Sequence, residues 1–421
     1  VTAVVSLPAV SPRAIWDLRH PLWLCPFRPF FGLVLVTAWS MMLAWGAFLF
    51  LGWPLPAVPG GPFVWHAHEL LVGMGSAAVA GFVLTSVPEF TDTPSFDARA
   101  VRGLVIFWLV GRLAFWCSGW WPVFGLGLSG LAHLGLIVGL VGLLAPRLWR
   151  DPERRHLSFV WILLALAVVL GGFYVDALRG LAPMRWLHAL LGVLMALIVV
   201  SMSRISMSIV NASIDARVAL DAVDRPPYLA RPPRRNLALL AIALYTLVEF
   251  WQPGGRASAW LALATMCAVF NLLNDWHVGR ALLQRWPLML YVVYVCMAAG
   301  YGAVGAALLT GAFSANAGVH LLTVGAFGLN IYLVICIAGY THAGLDKNGR
   351  AWVLWGAAAL MAAAMLRAGA YAGLAASTLM AVAAGFWFLG FVLQSIHMLP
   401  VFLRPRADGR EGCAGVLGVP G

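Results

Sequence analysis

The sequence is poor in charge. Only 10% of its 421 residues are Asp, Glu, Lys or Arg, whereas 62% are hydrophobic, and no soluble core could hide that much apolar surface. Acidic residues are the scarcer sign, 16 against 27 Lys plus Arg, which gives a formal net charge of +11. Nucleic acid is not the implied partner, because the basic residues stand in short clusters between apolar runs, the pattern of loop charges that orient a membrane protein. The six cysteines (Cys25, Cys117, Cys267, Cys296, Cys336, Cys413) lie far apart and form no C-x-x-C. Neither a disulfide framework nor a thiolate zinc site is indicated, and the lack of C-x-x-C-H argues against covalently attached haem. There is no nucleotide-binding glycine loop, no G-x-S-x-G and no H-E-x-x-H.

What the sequence has in abundance is apolar runs near 20 residues. Lipid offers no partner for backbone polar groups, so a spanning chain is helical or a closed barrel, and runs of this length fit helices. The expected fold is all-α, a polytopic membrane protein of about twelve spans near 30–52, 67–88, 101–120, 123–145, 158–178, 185–205, 237–252, 257–274, 287–312, 318–340, 350–370 and 373–397. The seventh is the least secure span, being short and carrying Glu249. The reading divides the chain into an N-terminal segment over 1–29, one membrane domain over 30–397 and a tail over 398–421. The N-terminal segment shows no cleavable apolar core and reads as retained.

Counted by alternate loops, 22 Lys and Arg fall on one side and four (Arg179, Arg185, Arg256, Arg367) on the other, with Arg112 inside the third span. The positive-inside rule then puts both termini and a long 206–235 loop in the cytoplasm. On this map a weak repeat emerges. His68-Glu69-Leu70-Leu71, His188-Ala189-Leu190-Leu191 and His320-Leu321-Leu322-Thr323 each place a histidine where spans 2, 6 and 10 enter from outside. Short apolar words also recur by chance in such a sequence.

Neutral imidazole is a common ligand of copper and haem iron, and an intramembrane histidine needs a metal or a hydrogen-bond partner to offset desolvation. The cofactor-binding candidates are therefore His66, His68, His188 and His320. An interfacial histidine meeting water and headgroups is the plainer alternative for any one of them. His66 and His68 are two apart and point about 200° from each other on a regular helix, so one inward ligand is expected from the pair. His342 lies about 33 Å from His320 if the run between them is helical, and belongs to the cytoplasmic side. The metal-ligand candidates are His188, His342 and Glu69, the last because it neighbours the histidine pair. Arg112, His133, Glu249 and Glu89 lie in or near spans and serve either a proton or ion path or polar ties between helices. No catalytic residue is assigned.

Several words together resemble the NnrS family of bacterial membrane proteins. They are Phe27-Arg28-Pro29-Phe30-Phe31, Trp65-His66-Ala67-His68-Glu69, Ala80-Gly81-Phe82 with Thr85-Ser86-Val87-Pro88, Gly111-Arg112-Leu113, and His320-Leu321-Leu322-Thr323-Val324-Gly325-Ala326. The resemblance implies a haem- and copper-containing protein of the bacterial inner membrane, linked to denitrification and protection against nitric oxide, with no settled reaction. Two departures stand out. Tyr340-Thr341-His342-Ala343-Gly344-Leu345 keeps the family's histidine but not its following arginine, and the family's histidine in the ninth helix has no counterpart between Tyr291 and Tyr301. A more distant likeness, of architecture only, is to the haem-copper oxidase and nitric oxide reductase catalytic subunits, with three arcs of four helices.

The expectation that follows is a b-type haem between His66 or His68 and His320, a copper site near His188, nitric oxide as ligand, and a quinol or other redox partner. The rivals are a transporter or metal-delivery protein that uses the same histidines without retained haem, and a sensor or assembly factor that signals through the basic 206–235 loop.

Overall fold

A computed structural model describes residues 14–221, 226–373, 375–410 and 412–413. Parts of the expected terminal segments (1–13 and 414–421) and, within the basic loop, 222–225 with Arg225 lie outside the described residues. Among the described residues there is no strand. The described residues form twelve long helices: α1 (Phe27–Leu51), α2 (Gly61–Phe90), α3 (Ala98–Cys117), α4 (Pro122–Arg150), α5 (Ser158–Leu178), α6 (Met184–Asp221), α7 (Pro232–Trp251), α8 (Arg256–Trp276), α9 (Arg285–Thr310), α10 (Asn316–His342), α11 (Ala351–Gly369) and α12 (Ala376–Phe402). Eleven are long and apolar enough to cross a membrane; α7, which carries Arg234, Arg235 and Glu249, falls short of that hydropathy. Left-handed glycines stop helices where a span ends, as at Gly52 (φ 70°) after α1 and Gly311 (φ 64°) after α9.

Most sequence neighbours pack on one another from α3 through α9, and α12 closes back against both α11 and α1. Inside this wall stand α2, α6 and α10, whose most apolar windows are 89%, 67% and 72% buried, more than those of any other span. These are the helices in which the histidine word recurs. They meet, together with Phe31 of α1, around an apolar cavity of about 40 Å³ lined by Val79, Phe82, Leu194, Ile198, Phe327 and Val334 among others.

Three features differ from expectation. Residues 206–221 continue α6 as helix rather than loop, because no glycine or proline interrupts them and Ile209, Val210 and Ile214 repeat on a buried face. At 38 residues α6 is about 57 Å long, well beyond a hydrocarbon core of about 30 Å. Second, α2 begins at Gly61, so His66 and His68 both sit inside a regular helix. Third, α2 and α10 each contain a π-helical stretch directly after the repeated histidine, Glu69–Met74 after His68 and Leu321–Gly328 after His320. Such widened turns concentrate at functional sites. The stretch is shared by two of the three repeated helices, since α6 is regular throughout.

The two ends of the bundled chain meet. Arg28, at the start of α1, is buried and donates through Nη1 to the carbonyls of Pro21, Phe402 and Arg404 at 3.0, 3.3 and 2.6 Å. The start of α1 and the end of α12 thus lie at the same end of the bundle, the end with the arginine excess.

The 151–157 connection at that end holds His156 flat against Phe90, with ring centroids 4.8 Å apart. Burial, and then the positive charge of Arg204, push its pKa down to about 4 from 6.5. Between those values the unfolded chain binds a proton that the folded chain does not, so stability contributed by neutral His156 is lost as pH falls through the window. His156→Phe, which keeps the ring stack, is expected to lose less melting temperature than the wild type in detergent between about pH 7 and pH 5. Equal losses would remove His156 from the pH dependence.

Candidate functional site

On α2 the two histidines diverge as their spacing requires. His68 is wholly buried and turns toward α3, α4 and α5. Its Nδ1 donates to Glu69 Oε1 at 3.3 Å, its Nε2 lies 3.0 Å from the Tyr174 hydroxyl, and its ring stacks on Phe115 at 3.6 Å between centroids. The Tyr174 hydroxyl also meets Ser129 Oγ at 2.8 Å and His133 Nδ1 at 2.7 Å, and Ser129 donates to the Gly111 carbonyl at 2.7 Å. One phenol proton serves one of these neighbours at a time, so rotation of a hydroxyl can relay a proton within the cluster.

Glu69 is engaged through both oxygens. Oε2 pairs with Arg112 Nη2, with side chains 0% and 8% exposed, and Arg112 Nη1 donates to Thr37 Oγ1 of α1 at 2.7 Å. The Arg112 guanidinium also lies 4.7 Å from the centroid of Trp108, whose indole N–H donates to the Gly73 carbonyl inside the π stretch at 2.8 Å. A Cβ on Gly111 would come within 2.7 Å of His133 Nε2 and force that ring to shift, and one on Gly73 would sit tightly, 3.2 Å from Arg112 Nε. The network thus joins five helices by pairing each charge it buries.

His66 faces the other way. Its ring lies flat on Trp45 of α1 at 4.3 Å and 18°, which covers a ring face and leaves the in-plane nitrogens for other contacts. It is within electrostatic range of His320 and Arg367. His320 donates from Nδ1 to the Asn316 carbonyl at 2.8 Å, so its Nε2 carries the lone pair. Beside it stands Tyr371, ring centroids 5.7 Å apart, which accepts from Arg367 Nη2 at 2.8 Å. Arg367 Nη1 is buried with no hydrogen-bond partner.

The remaining candidates lie elsewhere. His188 is exposed on the first turns of α6 and within electrostatic range of Glu249, apart from the His66 and His320 pair. His342 ends α10 at the arginine-rich end, where its Nε2 is 3.5 Å from Glu89 Oε1. The structure thus puts His66 within electrostatic range of His320, sets His68 with Glu69 in a buried polar network, and leaves His188 and His342 separate.

A family model described as NnrS protein matches residues 21–406. The chain belongs to the NnrS family. No curated protein matches it significantly. The NnrS match spans α1 to α12 and so contains every histidine named above, and it supports a nitric-oxide-related membrane protein.

Sequence reasoning singled out His66, His68, His320, Glu69, Arg112 and His133, but not Tyr174, Ser129, Thr37, Trp45, Arg367 or Tyr371. Hydroxyls inside apolar runs give no pattern by themselves. Arg367 did carry a signal, as one of only four basic residues on its side.

Removing one partner of a buried ion pair leaves the other charge stranded, at a cost of about 3–5 kcal/mol. Glu69→Ala is therefore expected to destabilise the protein by roughly that amount in micelle unfolding, with Glu69→Gln plus Arg112→Met recovering most of it. A single variant as stable as the wild type contradicts the pairing.

Proposed function

We propose that this protein is a haem-binding membrane protein of the nitric oxide response. Its b-type haem is held between His66 on α2 and His320 on α10, at the arginine-poor end of the bundle. The observation that carries the reading is that His66 and His320, within electrostatic range of each other, stand on the two π-widened, deeply buried helices. His68 is the weaker candidate for the α2 ligand, because both of its ring nitrogens are already in hydrogen bonds.

The residues present fit the group. The Nδ1–H bond to Asn316 fixes the His320 tautomer and aims Nε2 outward, as metal-ligating histidines are usually held. Trp45 holds the plane of His66. The unpartnered Arg367 Nη1 suits an anionic carboxylate such as haem bears on its rim. His66 and His320 would hold the haem, which when bound would supply electron transfer or nitric oxide binding. The apolar cavity between α2, α6 and α10 suits a small neutral gas better than an ion.

On this reading the arginine-rich end faces the cytoplasm, the site faces the periplasm, and the bilayer is the bacterial inner membrane. A quinol or other redox partner supplies electrons, and a copper ion near His188 has Glu249 as its neighbouring carboxylate.

Protein purified in detergent is expected to show a Soret band that shifts with nitric oxide. His320→Ala is expected to lower haem content severalfold or change the spin state. A variant with unchanged haem content and spectrum defeats the axial assignment, and a wild type that folds, carries no haem and binds none on titration returns the histidines to the transport or metal-delivery reading.

A further inference from the structure

At the far end of α10 from His320, three segments remote in sequence converge. Cys25 precedes α1, His342 ends α10, and Cys413 lies in the tail after α12. The tail reaches this place because Arg28 holds the carbonyls of Phe402 and Arg404, and because the Ala407 N–H donates to the Ala343 carbonyl at 2.9 Å. An Arg406–Asp408 ion pair at 2.6 Å braces the turn between them. As a result Cys25, His342 and Cys413, all buried, each offer a ligand atom within 4.8 Å of the others. The two cysteines have Cα atoms 4.8 Å apart and are joined as a disulfide. The His342 ring donates from Nδ1 to the Cys413 carbonyl at 2.8 Å, and Glu89 stands 3.5 Å from its Nε2.

The geometry points to a zinc site formed by Cys25, Cys413 and His342 when the two cysteines are reduced, with the Glu89 carboxylate or a water as fourth ligand. Two thiolates, one imidazole and one oxygen are a donor set that zinc accepts in tetrahedral form. A bond from the ligand histidine to the backbone of a ligand cysteine is the kind of support that orients such sites. With water as the fourth ligand burial also favours the complex, since two thiolates and a divalent cation sum to zero charge.

The steps balance. A dithiol reductant opens the Cys25–Cys413 disulfide by exchange, its own sulfurs ending as the disulfide while Cys25 and Cys413 gain two electrons and two protons. Zinc binding then releases those two protons to solvent. The reductant is available if this end faces the cytoplasm, as proposed above, where thiols are kept reduced. Residue 413 lies beyond 406, where the NnrS match ends, and the site clips the tail to α1 and α10.

The test is metal analysis of the full-length protein in detergent, purified with a dithiol reductant and no chelator. About one equivalent of zinc is expected. It should be lost in Cys25→Ser and in Cys413→Ser, weakened at least about tenfold in His342→Ala, and retained in the exposed-cysteine control Cys267→Ser. Cys413→Ser changes a residue after the last helix, so its fold is checked by gel filtration and by the Soret band, which reports on the opposite end. Zinc content equal in wild type and Cys413→Ser overturns the site. So does a reduced, metal-free wild type that takes up Cu⁺ but not added Zn²⁺, or neither.

Discussion

The ion pair between Glu69 and Arg112 is the constraint on which the rest of the arrangement depends. Opposite charges this deeply buried are tolerated only if paired and hydrogen-bonded. Satisfying Arg112 draws Thr37 of α1 and Glu69 of α2 against α3, and the missing Cβ atoms at Gly73 and Gly111 leave room for the Arg112 and His133 side chains. The pair also fixes the rotation of α2 about its axis. With Glu69 held by Arg112, His68 must point to Tyr174. His66, about 200° round a regular helix from His68, is then carried toward α1 and α10. One polar anchor between α2 and α3 thus sets which imidazole is turned toward α10.

The central helices show why a sequence repeat can survive in a membrane bundle. Each of α2 and α10 needs a local widening after its histidine, and a glycine follows that histidine by five residues in both, Gly73 and Gly325. Helix α6 repeats the histidine and leucines but remains a regular helix, and its histidine stays at the exposed margin. The likeness is therefore strongest between the two helices that face each other across the site. At its two ends α10 bears His320 and His342, so one helix links the proposed cofactor region to the cluster that holds the chain's termini together.

Much of this was legible in the residues themselves. Apolar runs located the spans, basic residues grouped the loops, and the two-residue spacing of His66 and His68 foretold that they part company. The seventh helix was the weakest span in the sequence and is the one helix whose hydropathy falls short. What stayed hidden has a common physical cause, which is that partners far apart in sequence leave no local pattern. Tyr174 and Ser129 read as ordinary hydroxyls in apolar helices until folding sets them 2.8 Å apart. Cys25 and Cys413 form no spaced motif, and their pairing is hidden in the sequence because it arises only when the tail folds back over α10. The extension of α6 stayed hidden because polar residues beyond 205, among them Asn211 and Ser213, interrupt the apolar run without interrupting the helix.

The central claim is that α2 offers His66, and not His68, toward α10. Optical and resonance Raman spectra of His66→Ala beside His68→Ala test it most directly. The account predicts that His66→Ala changes axial ligation while the protein stays folded, and that His68→Ala keeps the ligation spectrum but lowers the unfolding temperature. A ligation change in His68→Ala with none in His66→Ala would contradict it.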